Sequence, residues 1–480
     1  MSSKTKEFII NVGAMLFANG VSFLISSIIA FIIPKFLSVE NYAYVQLYIF
    51  YTSYISYLHY GWVDGIRLRY GGIYYDNINK PLFKTQILIY SIIQCTISLL
   101  VISLVLISNI DGNRLIALAC VGFCMLIRLP RLMPQYILEM SNRIKQCANI
   151  TLIERVTYLI LTLLIIFSGK ISVLLLLSCD LIGQLLSAIY AFWCCKDILV
   201  SKVSPIKEAI TEIKKNIESG IKLTIANVSS LLIIGIVRFF IEKEWNVSTF
   251  GKISLTISIS NLLMVFIRAV AMVMFPTLRR VDQKNLKSIY SKLRIGIMVP
   301  LLGLLVIYYP TRYLVSLWLP QYADSLVYMA MLFPMCIFES KMSMLIETYL
   351  KTLRLEGLLL KINIITVFLS VITTIITTCV IHNLSLAVLS IVCLLAFRCI
   401  LSEVLLSKRL KIYVKKHIIL EMILVTVFIV SSWIIGGILG LLIYITVYII
   451  YILIVKKDIV KLLMSLKKTS RNIKKETLKQ

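Results

Sequence analysis

Five basic side chains lie deep inside long apolar stretches of this chain, where an uncompensated charge is costly. Arg128 and Arg131 stand three residues apart and therefore share one face of a predicted helix. Arg238, Arg268 and Lys341 lie in later stretches. The arginine guanidinium can donate two parallel hydrogen bonds to one phosphate or carboxylate group. Together these cations predict a cavity site for an anionic ligand.

Two acidic side chains, Asp180 and Glu339, lie at comparable depth. Asp180 shares one side of its predicted helix with Gln184 and Ser187, a polar stripe that suits a water-filled cavity. Intramembrane carboxylates serve as proton or cation sites, and they equally serve as structural ion-pair partners of arginine. Both hypotheses stay open for Asp180 and Glu339.

Three tyrosines, Tyr44, Tyr48 and Tyr51, share one face of a short apolar stretch. Aromatic rings can stack on sugars, and their hydroxyls can hydrogen-bond them. Interfacial aromatic belts and ordinary helix packing explain most rings in such positions. Sugar contact is therefore one of two open interpretations.

Some of the deep cations have a structural alternative. Arg238 and Arg131 lie near the ends of their stretches, where a long side chain can extend to water, outward and inward respectively. Arg398 lies near the inner end of its stretch and needs no special role on this view. Arg268 lies well inside its stretch, so the sequence favours a functional role for it.

The elements that must position these residues are apolar helices. The chain of 480 residues is 59% hydrophobic with a mean hydropathy of +0.91, which indicates an all-α polytopic membrane protein. A membrane span needs about 20 apolar residues, and the sequence contains about fourteen such stretches. They are 8–33, 42–62, 86–108, 115–136, 150–168, 171–195, 221–241, 253–275, 295–311, 325–345, 362–381, 384–403, 418–435 and 438–455.

Most of the Lys and Arg residues fall on every second connection between these stretches. Basic residues are retained on the cytoplasmic side of membranes, so the pattern predicts that both termini are cytoplasmic. The net charge of +27 follows this sidedness and forms no separate basic domain, which argues against nucleic acid as a partner. The same charge favours anionic lipid at the cytoplasmic surface.

The segment 196–220 divides the chain. Isoleucines recur in it at helical spacing with charges on the other faces, so we expect an amphipathic helix on the membrane surface that ends at Gly220. Residues 33–47 and 241–255 match on either side of this linker, which predicts two parallel repeats of six spans. The predicted segments are a first lobe 1–195, the linker 196–220, a second lobe 221–403, two further spans 404–455 and a basic tail 456–480.

Catalytic and metal-binding patterns are missing from the sequence. The three His residues are scattered, the cysteines have no zinc-type spacing, and no Walker A motif occurs. No connection is long enough to fold as a soluble catalytic domain. We therefore expect no enzymatic activity, no cofactor and no metal.

Four short motifs occur in a consistent order along the chain: FIIPKFLSVENYAYV at 31–45, YGWVDGIRLRY at 60–70, FPTLRR at 275–280 and WLPQY at 318–322. In this order they resemble polysaccharide flippases of the Wzx type, which belong to the multidrug/oligosaccharidyl-lipid/polysaccharide exporter (MOP) superfamily. One departure is Ala43, where that family usually has glycine.

The resemblance implies a V-shaped fold of two lobes with alternating access. It implies transport of undecaprenyl-diphosphate-linked oligosaccharide repeat units from the inner to the outer leaflet of the bacterial cytoplasmic membrane, for O-antigen or capsule synthesis. It also implies a polysaccharide polymerase and chain-length proteins as partners. By similarity to the lipid II flippase, the last two spans would hold the polyprenyl tail.

Three other functions stay open. A cation-coupled multidrug antiporter of the same superfamily would need a cavity for cations, which the arginines argue against. A membrane glycan polymerase would place catalytic residues on long outer loops, and the outer connections are short. A non-transporting scaffold would leave the buried charges unexplained.

Overall fold

A computed structural model describes residues 3–110, 112–261, 264 and 283–477 of the chain. Within these ranges the secondary structure is helical, with no strand, so the predicted all-α fold is confirmed. Several helices begin at a side-chain cap that satisfies a free backbone N–H. Ser38 accepts from the Asn41 amide, and Ser172 accepts from the Leu175 amide.

The chain forms two compact units. The first comprises Met1–Leu232 and Trp245–Leu255, and the second comprises Ile233–Glu244 and Thr256–Gln480. The chain therefore passes between the units after Leu232, inside one long helix, after Glu244, at the end of that helix, and after Leu255, inside the next helix. The five-segment division expected from the sequence stays a prediction.

The described part of the first unit includes nine α-helices, the last of which continues into the second unit, and the start of a tenth. They are α1 (Ser3–Phe36), α2 (Val39–Ile55), α3 (Trp62–Tyr70), α4 (Lys80–Ile107), α5 (Gly112–Met140), α6 (Ile144–Phe167), α7 (Val173–Cys194), α8 (Lys196–Val200) and α9 (Ile206–Glu244). A further helix, α10, begins at 247 and is described as far as 261. An apolar core that includes Trp62, Phe83 and Met133 joins α3, α4 and α5.

The second unit contains both long and short helices, several of them joined by short 3₁₀- or π-helical turns. They are α11 (Gln283–Leu304), α12 (Tyr308–Trp318), α13 (Leu326–Leu332), α14 (Met335–Lys341), α15 (Glu347–Thr352), α16 (Glu356–Ile375), α17 (Leu384–Leu410), α18 (Lys415–Val430) and α19 (Gly437–Thr477). A π-helical turn at Met342–Ile346 connects α14 to α15.

Among the described residues, 12 helical segments are long and apolar enough to cross a membrane. These segments show a multi-pass membrane protein. Two predicted spans are not among them. In the predicted span 42–62, α2 ends at Ile55 and is shorter than a full span. Most of the predicted span 253–275 lies outside the described residues.

The prediction that Gly220 ends the linker helix is wrong. Helix α9 runs without a break from Ile206 to Glu244 and joins the linker to the following span. Glycine weakens a helix interior by about 1 kcal/mol, but tertiary packing outweighs that preference here. Gly220 lies against the backbone of Gly61 and Gly65, where a Cβ atom would collide.

Candidate anion-binding site

Arg131 is neutralised within the first unit. Its guanidinium on α5 is buried and donates to the Glu154 carboxylate on α6 at 2.6 Å, and also to the Ser187 hydroxyl on α7. Removing one partner of such a buried pair leaves an uncompensated charge. Arg131 therefore joins three helices, and a carboxylate of the protein compensates its charge.

Arg128, one turn before Arg131 on α5, has a different environment. Its side chain is half-buried, and its Nε atom is buried without a hydrogen-bond acceptor. No described carboxylate lies within 4.0 Å of the guanidinium, the limit that defines an ion pair. A half-buried guanidinium without an acceptor is a site that an external anion can occupy.

Asp180 lies on α7 in the same unit and is also half-buried. Its Oδ2 atom accepts a hydrogen bond from the Tyr48 hydroxyl at 2.6 Å and from Gln184 Nε2 at 2.5 Å. The Cys124 thiol on α5 donates to Gln184 Oε1 at 3.2 Å. The described residues place no basic side chain within ion-pair distance of Asp180, so hydrogen bonds alone hold this carboxylate.

The three tyrosines do not present one open aromatic face. Tyr48 is 3% exposed, and its hydroxyl is bound to Asp180. Tyr44 and Tyr51 pack against the apolar cluster of Leu47, Phe50 and Phe250.

Lys341 belongs to a buried ion network in the second unit. Its ammonium contacts the carboxylates of Glu403 and of Glu421, the latter at 2.7 Å. Arg294 binds the same two carboxylates, with Nε 2.7 Å from Glu403 and Nη1 2.9 Å from Glu421. The four opposed charges link α11, α14, α17 and α18. The charge of Lys341 is therefore compensated by carboxylates of the protein.

Arg398 has a larger structural role than the sequence indicates. It is 1% exposed and binds Glu339 at 3.2 Å, Glu347 at 3.1 Å and the Asn363 side chain at 2.9 Å. In a regular α-helix, Glu339 and Glu347 would point about 80° apart around the axis. The π-turn between them takes more residues per turn and reduces that angle, so both carboxylates reach one guanidinium.

The two remaining predicted cations are Arg238 and Arg268. Arg238 is half-buried on α9 in the part that belongs to the second unit. Arg268 lies outside the described residues, as does the FPTLRR motif at 275–280.

The predicted excess of cations over acids was too large, because further carboxylates are buried in the described helices, among them Glu154, Glu403 and Glu421. Glu154, Glu403 and Glu421 are each between 0% and 6% exposed and each is ion-paired. All three fall inside or at the end of a predicted span, so the signal was present in the sequence. Among the predicted cations, Arg128 is the one that the described residues place within the first unit without an ion-pair partner.

An apolar groove of about 300 Å³ lies within the second unit. Phe338 of α14, Val392 of α17, Met422 of α18 and Trp433 are among its lining residues. The groove contains no charged side chain. Its lining suits an alkyl or prenyl chain.

No known protein family and no curated protein matches the chain by sequence. Solved structures do match. The lipid II flippase MurJ in an inward closed conformation gives a TM-score of 0.62 at 13% identity, over 94% of this chain and 100% of MurJ. The chain has the MOP-superfamily transporter fold. An outward-facing multidrug resistance MATE transporter of the same superfamily gives a TM-score of 0.58 at 13% identity, over 86% of this chain and 97% of the transporter.

A third solved structure with this MOP fold comes from Pyrococcus furiosus. It gives a TM-score of 0.51 at 12% identity, over 84% of this chain and 95% of that chain. The reversed polarity of its binding pocket suggests a different function for that transporter. The ligand of a MOP-fold protein therefore has to be argued from the charges of its own site.

Proposed function

We propose that this protein is a flippase that moves undecaprenyl-diphosphate-linked oligosaccharide from the inner to the outer leaflet of the bacterial cytoplasmic membrane. Alternating access would carry the anionic headgroup, and no covalent bond would be made or broken. The product would supply O-antigen or capsule synthesis, with a polysaccharide polymerase and chain-length proteins as the next components.

The proposal rests on one observation, that Arg128 has no ion-pair partner among the described residues. Arg131, Lys341 and Arg398 are all neutralised by carboxylates of the protein, whereas Arg128 is not. A diphosphate offers charged oxygens that can accept from both edges of a guanidinium, and such bonds are about twice as strong as neutral ones. We assign the diphosphate to Arg128.

The apolar groove supports a lipid-linked substrate. A prenyl chain gains about 0.8 kcal/mol per CH₂ group on leaving water, so it remains in an apolar environment during transport. The groove beside α17 and α18 would hold part of that chain while the headgroup crosses. The basic connections would bind anionic lipid at the cytoplasmic surface.

A second candidate function is a multidrug antiporter. The environment of Asp180 favours this candidate. A half-buried carboxylate without an ion-pair partner can bind an organic cation. The MATE transporters that share the fold make this candidate worth testing.

Purified protein in liposomes tests the proposal. A fluorescent prenyl-diphosphate-linked disaccharide is placed in both leaflets, and a membrane-impermeant quencher reports the fraction that exchanges between leaflets. We expect exchange with the wild type, at least about tenfold less with Arg128→Gln, and wild-type exchange with Lys170→Gln, which removes an exposed cation.

The same liposomes separate the two functions. Accumulation of an organic cation without exchange of the lipid-linked sugar would establish the antiporter in place of the flippase. Full exchange by Arg128→Gln would remove Arg128 from the substrate site.

A further inference from the structure

Arg312 on α12 has no ion-pair partner among the described residues. No described carboxylate lies within 4.0 Å of its guanidinium, and Nη1 donates instead to the Tyr308 hydroxyl at 3.2 Å. Tyr308 is buried, so this bond holds the partly buried guanidinium in place. A guanidinium that is held in place without a carboxylate can bind an external anion.

The position of Arg312 along the chain indicates which anion it meets. It lies near the end of the apolar segment Leu286–Trp318, and the side chains of Tyr313, Leu314 and Trp318 that follow it are exposed. Aromatic side chains are enriched at membrane–water interfaces. Because the basic-residue pattern assigns the connection after α12 to the predicted outer side, we expect Arg312 at the level of the outer lipid phosphates.

The turn that joins α18 to α19 lies beside Arg312. Nη1 of Arg312 is 3.9 Å from the position that a Cβ atom would take at Gly436, which has no side chain to cover the guanidinium. Ser432 of the same turn shares a 3.0 Å hydrogen bond with the Tyr309 hydroxyl. One of these two hydroxyls donates in that bond, so the other keeps an O–H that can donate to a ligand. The turn therefore adds a neutral donor to this region.

The apolar groove of the second unit ends at the same turn. Its lining residues on α18 and the turn recur at helical spacing: Met422, Val425, Thr426, Ile429, Val430, Trp433 and Ile434. At about 1.5 Å per residue this stripe is about 18 Å long. Ile434 lies two positions before Gly436, so the groove ends close to Arg312. An apolar groove with a cation near one end fits a lipid with an anionic head.

We propose that Arg312 binds the diphosphate of the lipid-linked glycan in the outer leaflet, while the groove holds the adjoining part of the prenyl chain. Tyr309 and Ser432 supply a further hydrogen bond to the same headgroup. The groove volume of about 300 Å³ favours one prenyl chain over the two acyl chains of a phospholipid. This site lies in the second unit, whereas Arg128 lies in the first. The inference rests on the proposed function and adds to it the site that receives the transported lipid.

Native mass spectrometry of the purified full-length protein with farnesyl diphosphate tests the inference, because it counts the molecules bound to each protein. Three variants are compared with the wild type: Arg312→Gln, Thr426→Trp and Arg128→Gln. Lys243→Gln is the control, since it removes an exposed cation of the same unit that does not line the groove. Inorganic diphosphate and phosphatidylglycerol serve as competitors.

We expect two farnesyl diphosphate molecules on the wild type and on Lys243→Gln. Arg312→Gln should bind one of them at least about tenfold more weakly, because the hydrogen bonds from a charged donor are lost. Thr426→Trp should lose the same molecule, so the double variant should still bind one. This groove variant keeps the test informative if Arg312→Gln is poorly folded. Neither competitor, at the concentration of farnesyl diphosphate, should displace the molecule at Arg312.

The contradicting results are distinguishable. Two tightly bound molecules in both Arg312→Gln and Thr426→Trp would reject the outer site. Displacement by phosphatidylglycerol would assign Arg312 to bulk phospholipid, and displacement by inorganic diphosphate would show that the chain contributes nothing. Two molecules on Arg128→Gln, with one lost in Arg312→Gln, would reject the assignment of the diphosphate to Arg128 and keep the outer site.

Discussion

The Thr224 hydroxyl donates a 2.7 Å hydrogen bond to the Asp64 carboxylate and thereby joins α9 to α3. Both side chains are buried. Beside this bond, Gly65 of α3 and Gly61, which immediately precedes that helix, lie so close to the backbone of α9 around Gly220 that side chains would not fit. The YGWVDGIRLRY motif at 60–70 is therefore the surface on which α9 docks.

A second polar contact lies further along the same helix pair. Arg69 binds the Glu212 carboxylate and the Asn216 side chain, and the Tyr70 hydroxyl donates to Glu212 at 2.6 Å. Burial raises the pKa of Tyr70, and its hydrogen bond to Glu212 raises that pKa further, so the hydroxyl stays protonated and continues to donate. The linker half of α9 is thus fixed to the first unit at both ends of the glycine contact.

Gly65→Ala should destabilise the protein strongly. The added Cβ would overlap the backbone of Asn216, which cannot move aside as a flexible side chain can. Overpacking of this kind costs about 1–3 kcal/mol. Thermal unfolding in detergent should show a clear drop in midpoint. Gly357→Ala is the control, since nothing lies within 4 Å of its Cβ position, and an equal drop in both variants would contradict the close contact.

Thr224→Val and Asp64→Ala should be non-additive. Each single change breaks the same hydrogen bond, and the buried partner that remains loses its bond, at a cost of about 1–3 kcal/mol. The double variant should be less destabilised than the sum of the two single variants. Equilibrium unfolding of the four proteins measures this coupling, and strict additivity would show that the two side chains do not interact.

Arg131→Gln should reduce the amount of folded protein, whereas Arg128→Gln should not. Arg131 balances buried Glu154, and its loss leaves that carboxylate with Arg155 alone, 3.6 Å away and partly exposed. The expected destabilisation is about 3–5 kcal/mol. Fluorescence-detected size-exclusion chromatography reports the folded fraction. Equal losses in both variants would place Arg128 in the structural framework.

Lys341→Met should destabilise the second unit, and a second change should reverse much of that effect. Without Lys341, Glu403 and Glu421 face Arg294 alone, which leaves one buried negative charge in excess. The cost of such a charge is about 3–5 kcal/mol. Adding Glu421→Gln restores neutrality, so the double variant should recover thermal stability. A double variant less stable than Lys341→Met would show that neutrality is not what the network provides.

Thr426→Trp should slow leaflet exchange without loss of folded protein. Thr426 is an exposed groove residue on α18, so an indole there occupies the space assigned to the prenyl chain. Ile423→Trp on the same helix is the matched control, because Ile423 is exposed and does not line the groove. Equal exchange rates for the two variants would remove the groove from the transport path.

Apolar stretch length and basic-residue placement allowed the helical membrane fold to be predicted from the sequence. Backbone N–H and C=O groups have no water to bind within a bilayer, so a long apolar stretch forms a helix whatever its neighbours are. Ordered short motifs also pointed to the superfamily whose fold the structure shows. The departure at Ala43 has a local explanation: Gly251 lies against Ala43, where a second Cβ would not fit.

The state of each buried charge was decided only by tertiary structure. Sequence shows that Arg128 and Arg131 share a face, but not that Glu154 reaches one of them and leaves the other without an ion-pair partner. Likewise, Lys341 is neutralised by residues 62 and 80 positions away in sequence, and Tyr48 meets Asp180 at a separation of 132. Ion pairs form between helices within about 4 Å, and that distance depends on how the helices pack. Composition predicts that buried charges must be compensated, and the packing determines which partner compensates each one.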